Sequence, residues 1–212
     1  MRPALRPPEP ELLSRHRVAM TQEYVSRKAA DANHGFRWPR REGMSLHSVV
    51  IQALVAMTDR RCAYCDGNDI SGTGVEHIDH FRPKSRTEFH PLVCEWTNLY
   101  FVCCACNQAK LEKWADGLLA PDQPGFTFER FFVYNARTGR LEPNGDPAAT
   151  PDAKRAETTI AILNLNRDGA CRRRMEAVRT IKWLMSDNEP DEAGRIFEND
   201  SGYRYLVRFY LQ

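Results

Sequence analysis

Cys62-Ala63-Tyr64-Cys65 and Cys103-Cys104-Ala105-Cys106 are two cysteine pairs of identical internal spacing. In each, two thiols stand with two residues between them, and a tight turn at that spacing aims both sulfurs at one point. Two such pairs, about 40 residues apart, supply four thiolates, the complement of a tetrahedral structural zinc site. The fold is therefore expected to close by bringing residues 62–65 and 103–106 together around Zn²⁺. Cys104 lies inside the second run and competes as a ligand, but Cys103 and Cys106 repeat the spacing of the first pair. Free buried thiols are the plain alternative. A redox pair is disfavoured because neither run sits in a βαβ pattern. Cys94 and Cys171 stand alone and read as core fillers.

The segment between the pairs reads Val75-Glu76-His77-Ile78-Asp79-His80-Phe81-Arg82-Pro83-Lys84-Ser85, then Glu95-Trp96-Thr97-Asn98-Leu99. Directly after the last cysteine comes Asn107-Gln108-Ala109-Lys110. Asp79-His80 with Pro83, then Asn98-Leu99, then Cys106-Asn107 with Lys110, resemble the motif of the HNH (ββα-metal) nucleases, and the bracketing cysteine pairs match their zinc-stabilised subgroup. The resemblance covers about residues 60–114. A weaker likeness extends further, through Leu119 with Pro121, Asn135 with Thr138-Gly139, and Ile162-Leu163-Asn164-Leu165-Asn166. This layout is similar to the small HNH proteins that accompany an ABC-type ATPase in Septu and retron-linked anti-phage systems.

The resemblance implies a phosphodiesterase acting on DNA or RNA. His80 is the expected general base, because imidazole titrates near neutral pH. Asp79 is its strand neighbour, so the two side chains should point to opposite faces, one holding a divalent ion and the other facing the water. Asn107 would add a second oxygen ligand, and hard oxygen ligands suit Mg²⁺ or Mn²⁺. Asn98 would orient His80 or brace the loop. Arg82, Lys84 and Lys110 could hold phosphates or be solvated surface charges. His77 shares a strand face with Asp79 and is either a third metal ligand or a plain histidine. Glu76 shares a face with His80 and could polarise it. His90 reads as packing or capping. Trp96 and Trp114 read as core, and His16, His34 and His47 carry no ligand pattern. A catalytically inert zinc-stabilised adaptor for nucleic acid or protein is the alternative, but Asp79, His80 and Asn107 occurring together favour the enzyme.

Composition sets the outer bounds. Hydrophobic residues at 42% and charged residues at 27% fit a folded soluble domain, and no window offers the roughly 18 apolar residues of a membrane helix. The first residues show no secretory pattern, so a cytoplasmic, reducing setting is expected, where clustered thiols bind metal. The net charge of +2 says nothing about nucleic acid, although residues 1–61 and 152–182 are locally basic. We expect an α+β protein in three parts. Residues 1–44 form an N-terminal arm and extension, with a proline-rich extended start and a helical stretch from 11 to about 30. Residues 45–115 form an amphipathic helix, capped by Ser45, and the zinc-knuckle nuclease core. Residues 116–212 form a mainly helical extension, with short strands near 126–134 and helices at about 152–165 and 168–186. One face of the last helix should carry Cys171, Met175, Val178, Ile181 and Met185.

Overall fold

In the computed structural model, residues 1–68, 77–186 and 202–207 are described. Glu76, and most of the chain after 186, lie outside them. The described residues form helices and three two-stranded antiparallel sheets, a mixed architecture around one hydrophobic core.

Residues 1–10 are extended, as their four prolines dictate. They form a strap rather than a loose arm. Arg6 sets its guanidinium over the rings of Trp96 and Tyr100 and pairs with Asp122 at 2.5 Å. Trp96 Nε1 donates to the Pro7 carbonyl. Helix α1 (Glu11–Ala30) buries Leu12, Leu13, Met20 and Tyr24.

After α1 the chain forms a small hairpin, β1 (Arg40–Arg41) and β2 (Met44–Ser45). Its two turn residues, Glu42 and Gly43, both have positive φ, at 51° and 76°, the geometry that two-residue hairpins favour. Helix α2 (Leu46–Met57) follows at the expected place. The Ser45 hydroxyl caps it by accepting from the Ser48 N–H, and Leu46, Val50, Leu54 and Met57 face inward.

Two short strands and a helix carry the motif. Strand β3 (His77–His80) runs antiparallel to β4 (Leu99–Val102), setting His77 opposite Val102, Asp79 opposite Tyr100 and His80 opposite Leu99. All four β4 residues are buried. Helix α3 (Cys104–Lys110) starts two residues later, with Cys103 Sγ accepting from the Cys106 N–H at its first turn.

Farther along, the expected strands are displaced. Residues 128–131 form a single helical turn, α4 (Phe128–Phe131), and the hairpin is β5 (Phe132–Asn135) with β6 (Arg140–Pro143). Helices α5 (Pro151–Ile162) and α6 (Asp168–Ser186) appear where periodicity placed them. Met185 is a correction: it is 40% exposed, and Leu184 is buried in its stead. Of the C-terminal residues, 204–207 form one helical turn, α7 (Arg204–Val207). No helix of the described residues is long and apolar enough to cross a membrane.

Candidate active site and metal centre

The four cysteines converge. The sulfurs of Cys62, Cys65, Cys103 and Cys106 all lie within 4.8 Å of one another, and Cys65 Sγ is 3.8 Å from Cys103 Sγ. Zn–S bonds of about 2.3 Å give a tetrahedron with edges of about 3.8 Å, so the cluster could hold a structural metal such as zinc. Cys104 lies outside the cluster, as the repeated spacing implied. Cys94 and Cys171 are buried elsewhere. The α3 start supplies Cys103 and Cys106, and a turn with Asp66 at positive φ (61°) follows Cys65.

Beside this centre lies an open cleft of about 580 Å³, bordered by Asp79, His80, Lys84 and Asn107. The Asp79 and His80 side chains both border this cleft and go to different partners. Asp79 Oδ2 accepts from the Tyr64 hydroxyl at 2.5 Å and lies 3.1 Å from the Lys110 ammonium. Burial raises the Asp79 carboxyl pKa, opposed by the Lys110 charge and the Tyr64 hydrogen bond. Burial lowers the Lys110 pKa in turn, with Asp79 opposing.

His80 is buried. Its ring meets Phe36 edge-on at 5.9 Å between centroids, and Nε2 is 2.9 Å from the Val93 carbonyl. A carbonyl only accepts, so Nε2 carries the proton and Nδ1 keeps its lone pair. Nδ1 is buried with no hydrogen-bond partner among the described residues. Burial, then the charge of Lys84, lowers the His80 pKa to about 3, so the ring is neutral. An anion in the cleft would raise that value.

The other residues singled out from the sequence divide. Asn98 is buried and clamps the loop after β3: its amide oxygen accepts from the Arg82 N–H at 2.7 Å, and its NH₂ donates to the Arg82 and Leu92 carbonyls, both at 3.1 Å. Asn107, half-buried, borders the cleft. Among the three cations, only Lys84 borders it. Arg82 lies over the Trp114 ring and lines a separate hollow with Asn98 and Tyr100. Lys110 fits neither a phosphate contact nor a solvated charge: it is 0% exposed, tied to Asp79, and donates to the His80 carbonyl at 2.7 Å. Its ammonium satisfies groups that would otherwise be buried unpaired. His77 does not border the cleft, and its Nε2 lacks a partner among the described residues.

The far wall of the cleft comes from the N-terminal segment, through Tyr24, Lys28, Asn33, His34, Gly35 and Phe36. The Tyr24 hydroxyl donates to the Lys84 carbonyl at 3.0 Å, tying α1 to the loop after β3. His34 carried no pattern with any neighbour, so nothing local marked it; only the packing of 33–36 against β3 brings it here. Tyr64 stood in plain view inside the first cysteine pair, but its bond to Asp79 spans 15 residues of sequence. No protein-family model and no curated protein matches this chain.

Proposed function

We propose that the chain is a metal-dependent HNH endonuclease that hydrolyses phosphodiester bonds of DNA or RNA in the cytoplasm. In this reading it is the effector nuclease of an anti-phage complex, with an ABC-type ATPase as its partner. One observation carries the enzymatic reading. An imidazole with its Nε2 hydrogen engaged and its Nδ1 lone pair unpartnered stands beside a cleft that Asp79 and Asn107 also border.

In this reading His80 Nδ1 takes the proton of the attacking water, and the Val93 carbonyl fixes the ring in the required tautomer. Asp79 and Asn107 would hold Mg²⁺ or Mn²⁺, which when bound supplies Lewis acidity toward the phosphate and the leaving oxygen. A carboxylate has about four acceptor positions. Tyr64 and Lys110 engage Asp79 without exhausting them. Lys84 offers its ammonium to a phosphate oxygen, and Asn98 keeps the loop after β3 in register with the cleft.

The Asp79–Lys110 pair is also what favours the second reading, an inert zinc-stabilised adaptor, because a committed carboxylate is a poorer metal ligand. The test is cleavage of plasmid, single-stranded DNA and tRNA with Mg²⁺, Mn²⁺ or EDTA. His80→Ala should lower the rate by about 10²–10⁴-fold while melting temperature and zinc content stay at wild-type values. Unchanged cleavage by that variant removes His80 as base. Metal-independent failure of the wild-type chain on every substrate, alone and with its ATPase, favours the adaptor.

A further inference from the structure

Arg167 stands outside everything assigned above. It sits in the turn between α5 and α6, about 60 residues beyond the last cysteine of the cluster. Its Nη1 is 3.5 Å from Cys106 Sγ, and its Nη2 is 3.6 Å from Cys65 Sγ and 3.8 Å from Cys103 Sγ. One guanidinium thus addresses three of the four sulfurs and covers one triangular face of the cluster. No carboxylate among the described residues forms an ion pair with it.

The turn is built to hold it there. Leu163 and Leu165 are fully buried on either side of Asn164, which has φ of 45°. Arg167 Nη1 also donates to the Asn164 carbonyl at 3.2 Å. From beneath, the buried Arg174 donates to the Leu165 carbonyl at 2.5 Å and to the Gly139 carbonyl at 3.0 Å.

Charge gives the arrangement its meaning. Four thiolates around one divalent cation leave a net charge of −2 in a buried site, which is costly without compensation. A guanidinium is permanently charged, and its rigid fork can reach several acceptors at once. We propose that Arg167 is a positioning residue of the metal centre. It neutralises half of the surplus thiolate charge and makes metal binding and docking of the α5–α6 turn mutually dependent. By linkage, whatever strengthens one strengthens the other. Because Asn107 follows Cys106 directly, the C-terminal helices thereby brace the start of α3 that carries it. The proposal rests on the four-cysteine cluster and not on the nuclease reading.

The experiment uses the full chain and zinc alone, in competition with a chromophoric chelator. Arg167→Ala should weaken zinc binding about 10–100-fold, the usual loss when a partner of metal ligands is removed. Arg167→Lys, which keeps the charge but loses the fork, should fall between. In the cobalt-substituted protein, the sulfur-to-metal charge-transfer bands should shift in Arg167→Ala. Amide exchange at 163–170 should be faster in zinc-loaded Arg167→Ala than in zinc-loaded wild type. Zinc affinity within twofold of wild type in Arg167→Ala overturns the proposal. If the alanine chain does not fold, the lysine variant decides: affinity within twofold of wild type and unshifted cobalt bands overturn it.

Discussion

Two polar centres flank α3, and they differ in how complete the protein alone makes them. The cysteine centre is closed: three of its four thiol residues are buried, and an arginine from a distant turn covers one face. The cleft is half-finished. Asp79 is committed to Tyr64 and Lys110, His80 is satisfied on one nitrogen only, and the half-buried Lys84 brings an ammonium whose charge is offset only through Asp79 among the described residues. Such contrast is what the proposed reading expects of a part that holds a fold beside a part that takes a ligand. A closed centre reports its loss as stability, and an open one reports it as binding or rate.

Breaking the closed centre should have the largest effect. Cys62→Ser removes one of four thiolates. Structural zinc sites contribute on the order of 10 kcal/mol to folding, so melting temperature and zinc content should fall together. Unchanged melting with full zinc occupancy would sink the structural role. Lys110→Met acts at the boundary between the two centres. It keeps the length of the side chain but strips Asp79 of its counter-charge. Removing one member of a buried pair costs about 3–5 kcal/mol, because the carboxylate is left in an apolar setting. A melting midpoint in urea equal to wild type would show that Asp79 is solvated through the cleft and does not need the ammonium.

The closed centre was legible in the sequence and the cleft was only half so, for a physical reason. Cys62, Cys65, Cys103 and Cys106 announce themselves because ligand spacing is set within one turn of chain, which sequence records directly. Asp79, His80 and Asn107 were likewise visible as a motif, and α2, α5 and α6 as apolar periodicity with Ser45 as cap. Lys110 was misplaced because its character depends on burial, which here comes from α3 packing on β3, not on neighbours in sequence. His34, Phe36 and Arg167 are tertiary contributions across 40 or more residues, and no local pattern encodes them. Of the span 126–134 expected to hold short strands, 132–134 is strand, while Phe128 and Phe131 suit either element and Thr127 capping the Arg130 N–H makes 128–131 a helical turn.

Lys84 is the finest test of the open centre, with the smallest effect. Burial lowers its ammonium pKa, opposed by Asp79, so in the ligand-free chain the cation sits at a cost. Lys84→Gln removes that cost along with the charge, and the melting temperature should stay level or rise slightly. Nucleic-acid affinity should fall, and the slope of log K against log salt should shrink by about one, the signature of a single lost phosphate contact. Arg82→Gln is the matched control, since Arg82 lies against Trp114 and away from the cleft. An equal loss of slope in both variants would mean that nucleic acid meets a diffuse basic surface. A loss confined to Lys84 would mean that the cleft beside His80 is where the phosphate lies, and only then does the unpartnered Nδ1 have a substrate within reach.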